Sequence, residues 1–232
     1  MMHLRRSVSA ATDGPESNPR ARTAFVLSGG GNQGVVQIGQ LRALIERGIV
    51  PDVVIGCSAG ALNGAALCYA PNLTGLDRLG AVWADLRTND VFPGGKISRT
   101  WNVLRKSTHL FPNEGLAGVI ERATPARSFA DLAVPLRVVT ADLDSGEEVV
   151  FCRGPLAPAL LASAALPGVF PVIHHGGRRL VDKHVRRPTL DESGPDLHTV
   201  DDDAIGQSGR CGVEFLTRLV LRSSATVGII RL

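Results

Sequence analysis

Aromatic residues are scarce in this chain of 232 residues, which has only seven Phe, two Trp and one Tyr. Proteins that bind single-stranded nucleic acids stack bases on aromatic side chains, so this scarcity argues against that function. An excess of one charge is also missing, since 25 Lys and Arg stand against 22 Asp and Glu, for a net charge of +3. Without a strongly basic surface, we expect no nucleic-acid partner.

Cysteine is sparse and widely spaced, with four residues and no C-x-x-C pair among Cys57, Cys68, Cys152 and Cys211. Structural zinc sites need closely spaced thiolates or histidines, so this spacing argues against a bound metal. Reduced thiols in a cytoplasmic protein are the simplest expectation.

Long apolar runs are absent as well. The longest, residues 160–173, is interrupted by Pro167 and Pro171 and is too short to span a membrane. Residues 1–22 contain Arg and Ser but no apolar core of a secretory signal, so we expect a disordered N-terminal tail. An organelle presequence is the alternative for this tail. We expect a cytoplasmic protein with, at most, peripheral contact with a membrane.

The composition nevertheless favours a folded domain, with 44% hydrophobic and 20% charged residues. Strand and helix patterns alternate between residues 23 and 182, which predicts an α/β three-layer sandwich with a mostly parallel central sheet. Strands are expected at 24–28, 53–56, 136–141, 147–151, 169–173, 178–181 and 225–230. Helices are expected at 35–47, 59–69, 75–87, 97–106, 114–122, 156–165 and 213–221.

A glycine-rich loop, residues 28–34 (SGGGNQG), follows the first expected strand and opens the first helix. Its backbone N–H groups and the helix N-terminus make it a natural site for an anion. The loop matches G-x-G-x-x-G at Gly29, Gly31 and Gly34, a weak indicator by itself. A dinucleotide site also needs a carboxylate at the end of the second strand, and a different motif stands there.

That second motif is G-x-S-x-G, formed by Gly56, Cys57, Ser58, Ala59 and Gly60. Between a strand and a helix it predicts a nucleophile elbow, a tight turn that exposes the serine hydroxyl. Small residues at both ends are needed because neighbouring backbone passes close. A simple helix N-cap is the alternative role of Ser58. We expect Cys57 to be a small buried spacer that points away from Ser58.

A general base for Ser58 has two possible sources. Asp182 ends the strand 178–181, where carboxylates of α/β sheets point into the ligand crevice, although a turn-forming aspartate would also fit. An ordinary triad would instead combine a late histidine, His174 or His184, with Asp142 or Asp144. Chain order alone permits both.

Three blocks together resemble the bacterial patatin-like phospholipases. They are the glycine loop, the serine elbow continuing as Ala-Leu-Asn-Gly, and the block 163–170 leading to Leu-Val-Asp at 180–182. The resemblance covers about residues 23–182 and implies a patatin-like α/β hydrolase domain that hydrolyses lipid acyl esters through an acyl-enzyme. It implies Ser58 as nucleophile, Asp182 as base and no cofactor. The implied oxyanion hole consists of backbone N–H groups of Gly29, Gly30, Gly31 and Gly34.

Two positions depart from the family pattern. Asn32 and Gln33 stand where many relatives have a basic residue, and Lys183-His184 follows the aspartate where the family has glycines. Residues 183–232 are weakly patterned, and we expect an atypical C-terminal segment of the same domain. Two alternatives therefore stay open. One is a relative that binds lipid or acyl groups without turnover, and the other is a hydrolase with a Ser-His-Asp triad.

Overall fold

The computed structural model describes residues 23–91, 111–183 and 226–231. The strands of these residues are β1 Thr23–Leu27, β2 Val53–Cys57, β3 Leu136–Asp142, β4 Glu148–Phe151, β5 Ile173–His175, β6 Arg178–Val181 and β7 Val227–Arg231. They form one sheet in the order β5-β6-β3-β2-β1-β7, and β4 also pairs with β3.

Three parallel strands form the centre of the sheet. Leu27 of β1 lies opposite Gly56 of β2, and Cys57 of β2 lies opposite Val139 of β3. The other strands join this centre in antiparallel pairs. Because β1 and β2 are parallel, the glycine loop that follows β1 and the serine that follows β2 reach the same edge of the sheet.

The described helices are α1 Val35–Glu46, α2 Ala59–Tyr69, α3 Leu73–Asp85, α4 Thr88–Val91, α5 Glu114–Ala123 and α6 Leu156–Ser163. Helix α2 is the most deeply placed, since every residue from Gly60 to Cys68 is buried. Its sequence is apolar nearly all round, which is typical of a helix in the centre of a core. No described helix combines the length and the apolar character needed to cross a bilayer.

Both faces of the central strands are buried, as an α/β sandwich requires. Phe25 and Leu27 belong to a large core that includes residues of α2. Val26 and Ile55 belong to a smaller core on the opposite face of the sheet. The α/β sandwich expected from the sequence is confirmed.

Two expectations about local structure were wrong. The strand expected at 169–173 begins only at Ile173, because the N–H groups of Val169 and Phe170 bond to the carbonyl of Leu166 in a turn at 3.0 and 2.9 Å. Reduced thiols were expected at all four cysteines; Cys57 and Cys68 are free and buried, but Cys152 is disulfide-bonded. The expected tail 1–22 and the expected helices 97–106 and 213–221 lie outside the described residues, as does 184–225 of the C-terminal segment.

Candidate active site

Ser58 occupies a sharp turn between β2 and α2. Its backbone angles are φ 53° and ψ −126°, and it is the single non-glycine residue with positive φ in the part of the chain that the structure describes. A side chain in such a conformation costs on the order of 1–3 kcal/mol, which the surrounding structure must offset. The strand, turn and helix predicted around Ser58 are therefore present, with the strain that an elbow implies.

The hydroxyl of Ser58 does not cap the helix. Ser58 stands at the N-cap position of α2, yet its side chain makes no capping hydrogen bond. The Ser58 carbonyl accepts the N–H groups of Ala61 and Leu62, and the Ser58 N–H donates to Oγ of Ser163 at 2.9 Å. These backbone bonds hold the turn and leave the hydroxyl available on the wall of a cavity.

The two glycines of the elbow allow close backbone contacts. A Cβ on Gly56 would lie 2.6 Å from Cα of Ala61, and one on Gly60 would lie 2.3 Å from the carbonyl oxygen of Leu27. Real Cβ atoms do not approach other atoms so closely, so a side chain at either position would push backbone segments apart. The elbow is thus pressed against the end of β1.

The glycine loop lies beside this elbow. Gly31 has φ 55° and lines the same cavity as Ser58. Within the described ranges, the backbone N–H groups of Gly29 and Gly30 donate to no protein acceptor. Gly34 is buried, and a Cβ on it would lie 2.9 Å from Cβ of Ala59. The loop therefore presents unused donors near Ser58 and packs through Gly34 against the start of α2.

A buried network of polar side chains binds both ends of the glycine loop. Nδ2 of Asn63, on α2, donates to the carbonyl of Gly34 at 2.9 Å and to Oε1 of Gln37 at 2.8 Å. Nε2 of Gln37 donates to the carbonyl of Ser28 at 2.7 Å, and the Trp83 indole donates to Oδ1 of Asn63 at 2.8 Å. Both ends of the loop are thereby bonded to a network that includes the helix after Ser58.

The cavity at Ser58 has a volume of about 270 Å³. Most of its lining is apolar, and polar side chains come from Asn32, Arg87 and Thr88. The apolar lining residues are Ala59, Leu62, Trp83, Leu86, Val91, Leu116, Val119, Ile120, Leu160, Ala164, Leu166 and Phe170. Such a lining suits a hydrocarbon chain, because burying apolar surface is favourable.

Asp182 directly follows β6 and is buried, with 1% of its surface exposed. Its N–H donates to the carbonyl of Ala165 at 3.0 Å. The Sγ atom of Cys57 lies 3.8 Å from Oδ1 of Asp182 and donates to it. The carboxylate of Asp182 therefore lies beside Cys57, the residue that precedes Ser58. Asp182 is buried and is not a solvent-exposed turn residue.

The thiol of Cys57 is protonated in this position. Burial raises its pKa far above the ordinary range and the negative charge of Asp182 raises it further, while the charge of Lys183 and a hydrogen bond with Ser163 lower it. A neutral thiol can donate a hydrogen bond to a carboxylate, which a thiolate cannot. Cys57 is buried as expected, but it also contacts Asp182, which the sequence did not indicate.

Comparison with known sequences decides the family. The family model described as patatin-like phospholipase matches residues 25–182, from β1 to the aspartate after β6. The chain belongs to the patatin-like phospholipase family. The family resemblance indicated by the three sequence blocks is therefore confirmed.

Relatives of this patatin-like chain are longer proteins. An NTE family protein of Mycobacterium tuberculosis is 30% identical over 163 residues, which are 68% of this chain and 25% of that protein. Patatin-like phospholipase domain-containing protein 7 of Rattus norvegicus is 30% identical over 148 residues, which are 64% of this chain and 10% of that protein. The chain thus spans a quarter or less of these two relatives.

Among solved structures, VipD from Legionella pneumophila shares the fold of this patatin-like chain with a TM-score of 0.51 at 17% identity. The likeness covers 75% of this chain and 48% of VipD.

Lys183 directly follows Asp182, at the position where the family resemblance leads us to expect a glycine. Its ammonium group forms an ion pair with the carboxylate of Glu148, the first residue of β4. Its positive charge still acts on Cys57 and lowers the pKa of that thiol. Lys183 therefore contributes to the electrostatics of the site while it bonds to the neighbouring strand.

The alternative triad requires a histidine beside Ser58, and the described histidines of β5 lie elsewhere. His174 is exposed on β5, and the half-buried ring of His175 packs edge-on against Phe151 with 5.1 Å between ring centroids. Neither residue lines the cavity beside Ser58 in the described part of the chain. His184 lies outside the described residues.

The two carboxylates considered for that triad take part in the turn after β3. Oδ1 of Asp142 accepts the N–H of Asp144 at 2.9 Å, and Oδ2 of Asp142 lies 3.5 Å from Nη1 of Arg178. Asp144 accepts two hydrogen bonds from Arg179, at 2.9 and 2.7 Å. Both acids thus tie the β3–β4 turn to β6.

Proposed function

We propose that this protein hydrolyses acyl esters of lipids, with Ser58 as the nucleophile and Asp182 as the general base. The observation that carries the proposal is the position of the Ser58 hydroxyl, which makes no capping bond and lines an apolar cavity of about 270 Å³. Family membership adds support, because the matching family is described as patatin-like phospholipase.

In the acylation step, Oγ of Ser58 attacks the ester carbonyl carbon and its proton passes to the carboxylate of Asp182. The tetrahedral intermediate then collapses, the bond to the alcohol oxygen breaks, and that oxygen takes the proton from Asp182. The products of this step are the free alcohol and an ester between Ser58 and the acyl group.

The negative oxygen of the intermediate needs donors already in place. We assign this oxyanion hole to backbone N–H groups of Gly29, Gly30, Gly31 and Gly34. The first two bind no protein acceptor within the described ranges, and Gly31 lines the cavity with Ser58. Preorganised donors of this kind are among the largest contributions to acyl-transfer catalysis.

In the deacylation step, Asp182 accepts a proton from water as the water oxygen attacks the acyl carbon. The second tetrahedral intermediate then collapses, its bond to Oγ of Ser58 breaks, and that oxygen takes the proton from Asp182 as the fatty acid leaves. The acyl chain would occupy the apolar cavity during both steps, with its ester at Ser58.

We further propose that the edge of the sheet that bears Ser58 contacts lipid surfaces transiently. Val35 and Val36 follow the glycine loop and are 47% and 54% exposed, and Leu166 of the cavity is 38% exposed. Exposed apolar side chains at this edge favour contact with the apolar region of a lipid layer.

Intact-mass spectrometry after incubation with a fluorophosphonate tests the function. We expect one adduct on the wild-type protein, none on Ser58→Ala and slower labelling of the nearly isosteric Asp182→Asn. An adduct that persists on Ser58→Ala would contradict the assignment of the nucleophile. A wild-type protein that is folded by circular dichroism but takes no adduct would contradict the proposed hydrolase function. It would favour the alternative that the protein binds lipid without turnover.

A further inference from the structure

Ser163 is the last residue of α6, and its side chain is fully buried. Its Oγ donates to the carbonyl of Val139 at 2.7 Å and accepts the N–H of Ser58 at 2.9 Å. Val139 is the residue of β3 that lies opposite Cys57 of β2. One hydroxyl therefore connects the central sheet to the strained residue of the elbow.

The same segment also binds the second residue of the proposed dyad. The carbonyl of Ala165, two residues after Ser163, accepts the N–H of Asp182 at 3.0 Å. The segment 163–165 therefore bonds to the backbone of Ser58 and of Asp182, which are far apart in sequence. A shift of this segment would displace both residues.

We propose that Ser163 is a positioning residue that holds the backbone of Ser58 in the conformation needed for attack, in register with Asp182. The role rests on the proposed function. A hydroxyl is suited to it because donation to Val139 orients a lone pair toward the Ser58 N–H. Alanine would remove the acceptor from an N–H group in a turn that already carries strain.

The rate of fluorophosphonate labelling tests this role, measured against probe concentration so that the maximal rate and the half-saturating concentration are separated. For Ser163→Ala we expect the maximal rate to fall about 100-fold, the loss typical of a displaced reacting group. The half-saturating concentration should stay unchanged, because Ser163 does not line the cavity in the described residues. Ser163→Thr, which keeps the hydroxyl, should recover most of the rate.

Two further variants separate positioning from packing. Ser163→Cys nearly preserves volume but forms weak hydrogen bonds, so we expect it to be slow like Ser163→Ala. Thr140→Val removes a hydroxyl that is equally buried and donates to the carbonyl of Val149 at 2.9 Å, away from Ser58. We expect Thr140→Val to keep the wild-type labelling rate.

Failure of the positioning role can be distinguished from failure of the proposed hydrolase activity. Wild type that takes no label overturns the hydrolase, and the positioning role falls with it. If the wild-type protein is labelled and Ser163→Ala is labelled at the same maximal rate, the positioning role of Ser163 is overturned and the hydrolase is not. Slow labelling of both Ser163→Ala and Thr140→Val would also overturn it, because loss of stability would then explain the effect. A variant that fails to fold by circular dichroism leaves the other Ser163 variants to decide.

Discussion

The side-chain amide of Asn63 donates a 2.9 Å hydrogen bond to the carbonyl of Gly34 and so joins the helix after Ser58 to the end of the glycine loop. The same amide binds Gln37, whose own amide binds the carbonyl of Ser28 at the start of the loop. The spacing between the proposed oxyanion hole and the proposed nucleophile therefore depends on one buried network.

Asn63→Leu should destabilise the protein, because it leaves the Gly34 carbonyl, Oε1 of Gln37 and the Trp83 indole without partners. We expect the free energy of unfolding in urea to fall by about 3 kcal/mol or more, since a buried polar group that loses its partner costs about 1–3 kcal/mol. Trp83→Phe removes the indole N–H and part of the ring but keeps the bonds of Asn63 to Gly34 and Gln37, so it should cost less than Asn63→Leu. An Asn63→Leu midpoint equal to that of wild type would contradict the network.

Ser58→Gly should be more stable than Ser58→Ala. Both variants lack the hydroxyl, but only alanine keeps a Cβ at φ 53°. After the extra entropy of unfolded glycine is subtracted from the strain released, we expect a difference of about 1 kcal/mol in favour of glycine. Urea denaturation of the two variants measures it, and an alanine variant of equal or greater stability would show that Ser58 is not strained.

Val36→Glu should weaken action on lipid surfaces. Val36 is 54% exposed at the start of α1, on the edge of the sheet where Ser58 lies. A carboxylate there would oppose contact with the apolar region of a bilayer, and we expect about tenfold less hydrolysis of phosphatidylcholine vesicles, equivalent to burial of one valine side chain. Hydrolysis of a water-soluble short-chain ester should be unchanged.

Val50→Glu is the matched control for Val36→Glu. Val50 is also 54% exposed but precedes β2, at the opposite edge of the sheet. Equal losses from both variants on vesicles would contradict a lipid contact at the edge that bears Ser58.

Alkaline pH should reduce the contribution of Cys68 to stability. Burial raises the pKa of this thiol above its ordinary value of 9.0, so the folded state holds the proton more tightly than the unfolded state. The resulting stability is complete below the unfolded pKa and is lost as pH rises above it. Between pH 8 and about pH 10.5, the stability gap between wild type and Cys68→Ala should narrow by about 2 kcal/mol. Urea denaturation at both pH values measures the gap, and an unchanged gap would mean that the thiol ionises equally in both states.

The sequence was informative where structure is set by neighbouring residues. The elbow at Ser58 and the helix Ala59–Tyr69 were predicted at their observed positions, because a short β-branched strand, flanking glycines and an apolar helix act locally. The last strand, Val227–Arg231, was predicted as an element, but its antiparallel pairing with β1 was not.

Contacts between distant segments were not predictable in the same way. The hydrogen bonds from Ser58 to Ser163 and from Cys57 to Asp182 join residues more than 100 positions apart. Nothing in the pattern around Ser163 or Cys57 distinguishes these side chains from small core residues. Their partners follow from the way α6 and β6 pack against the sheet, which depends on the whole core.

The close approach of Gly60 to the carbonyl of Leu27 also restricts how relatives can exchange segments. The end of β1 and the start of α2 are complementary in shape at this point, although β2 lies between them in the sequence. A chimera with its crossover between residues 28 and 60 would combine these surfaces from different parents. Productive recombination is therefore expected with crossovers outside this interval, so that the two glycine motifs are inherited together.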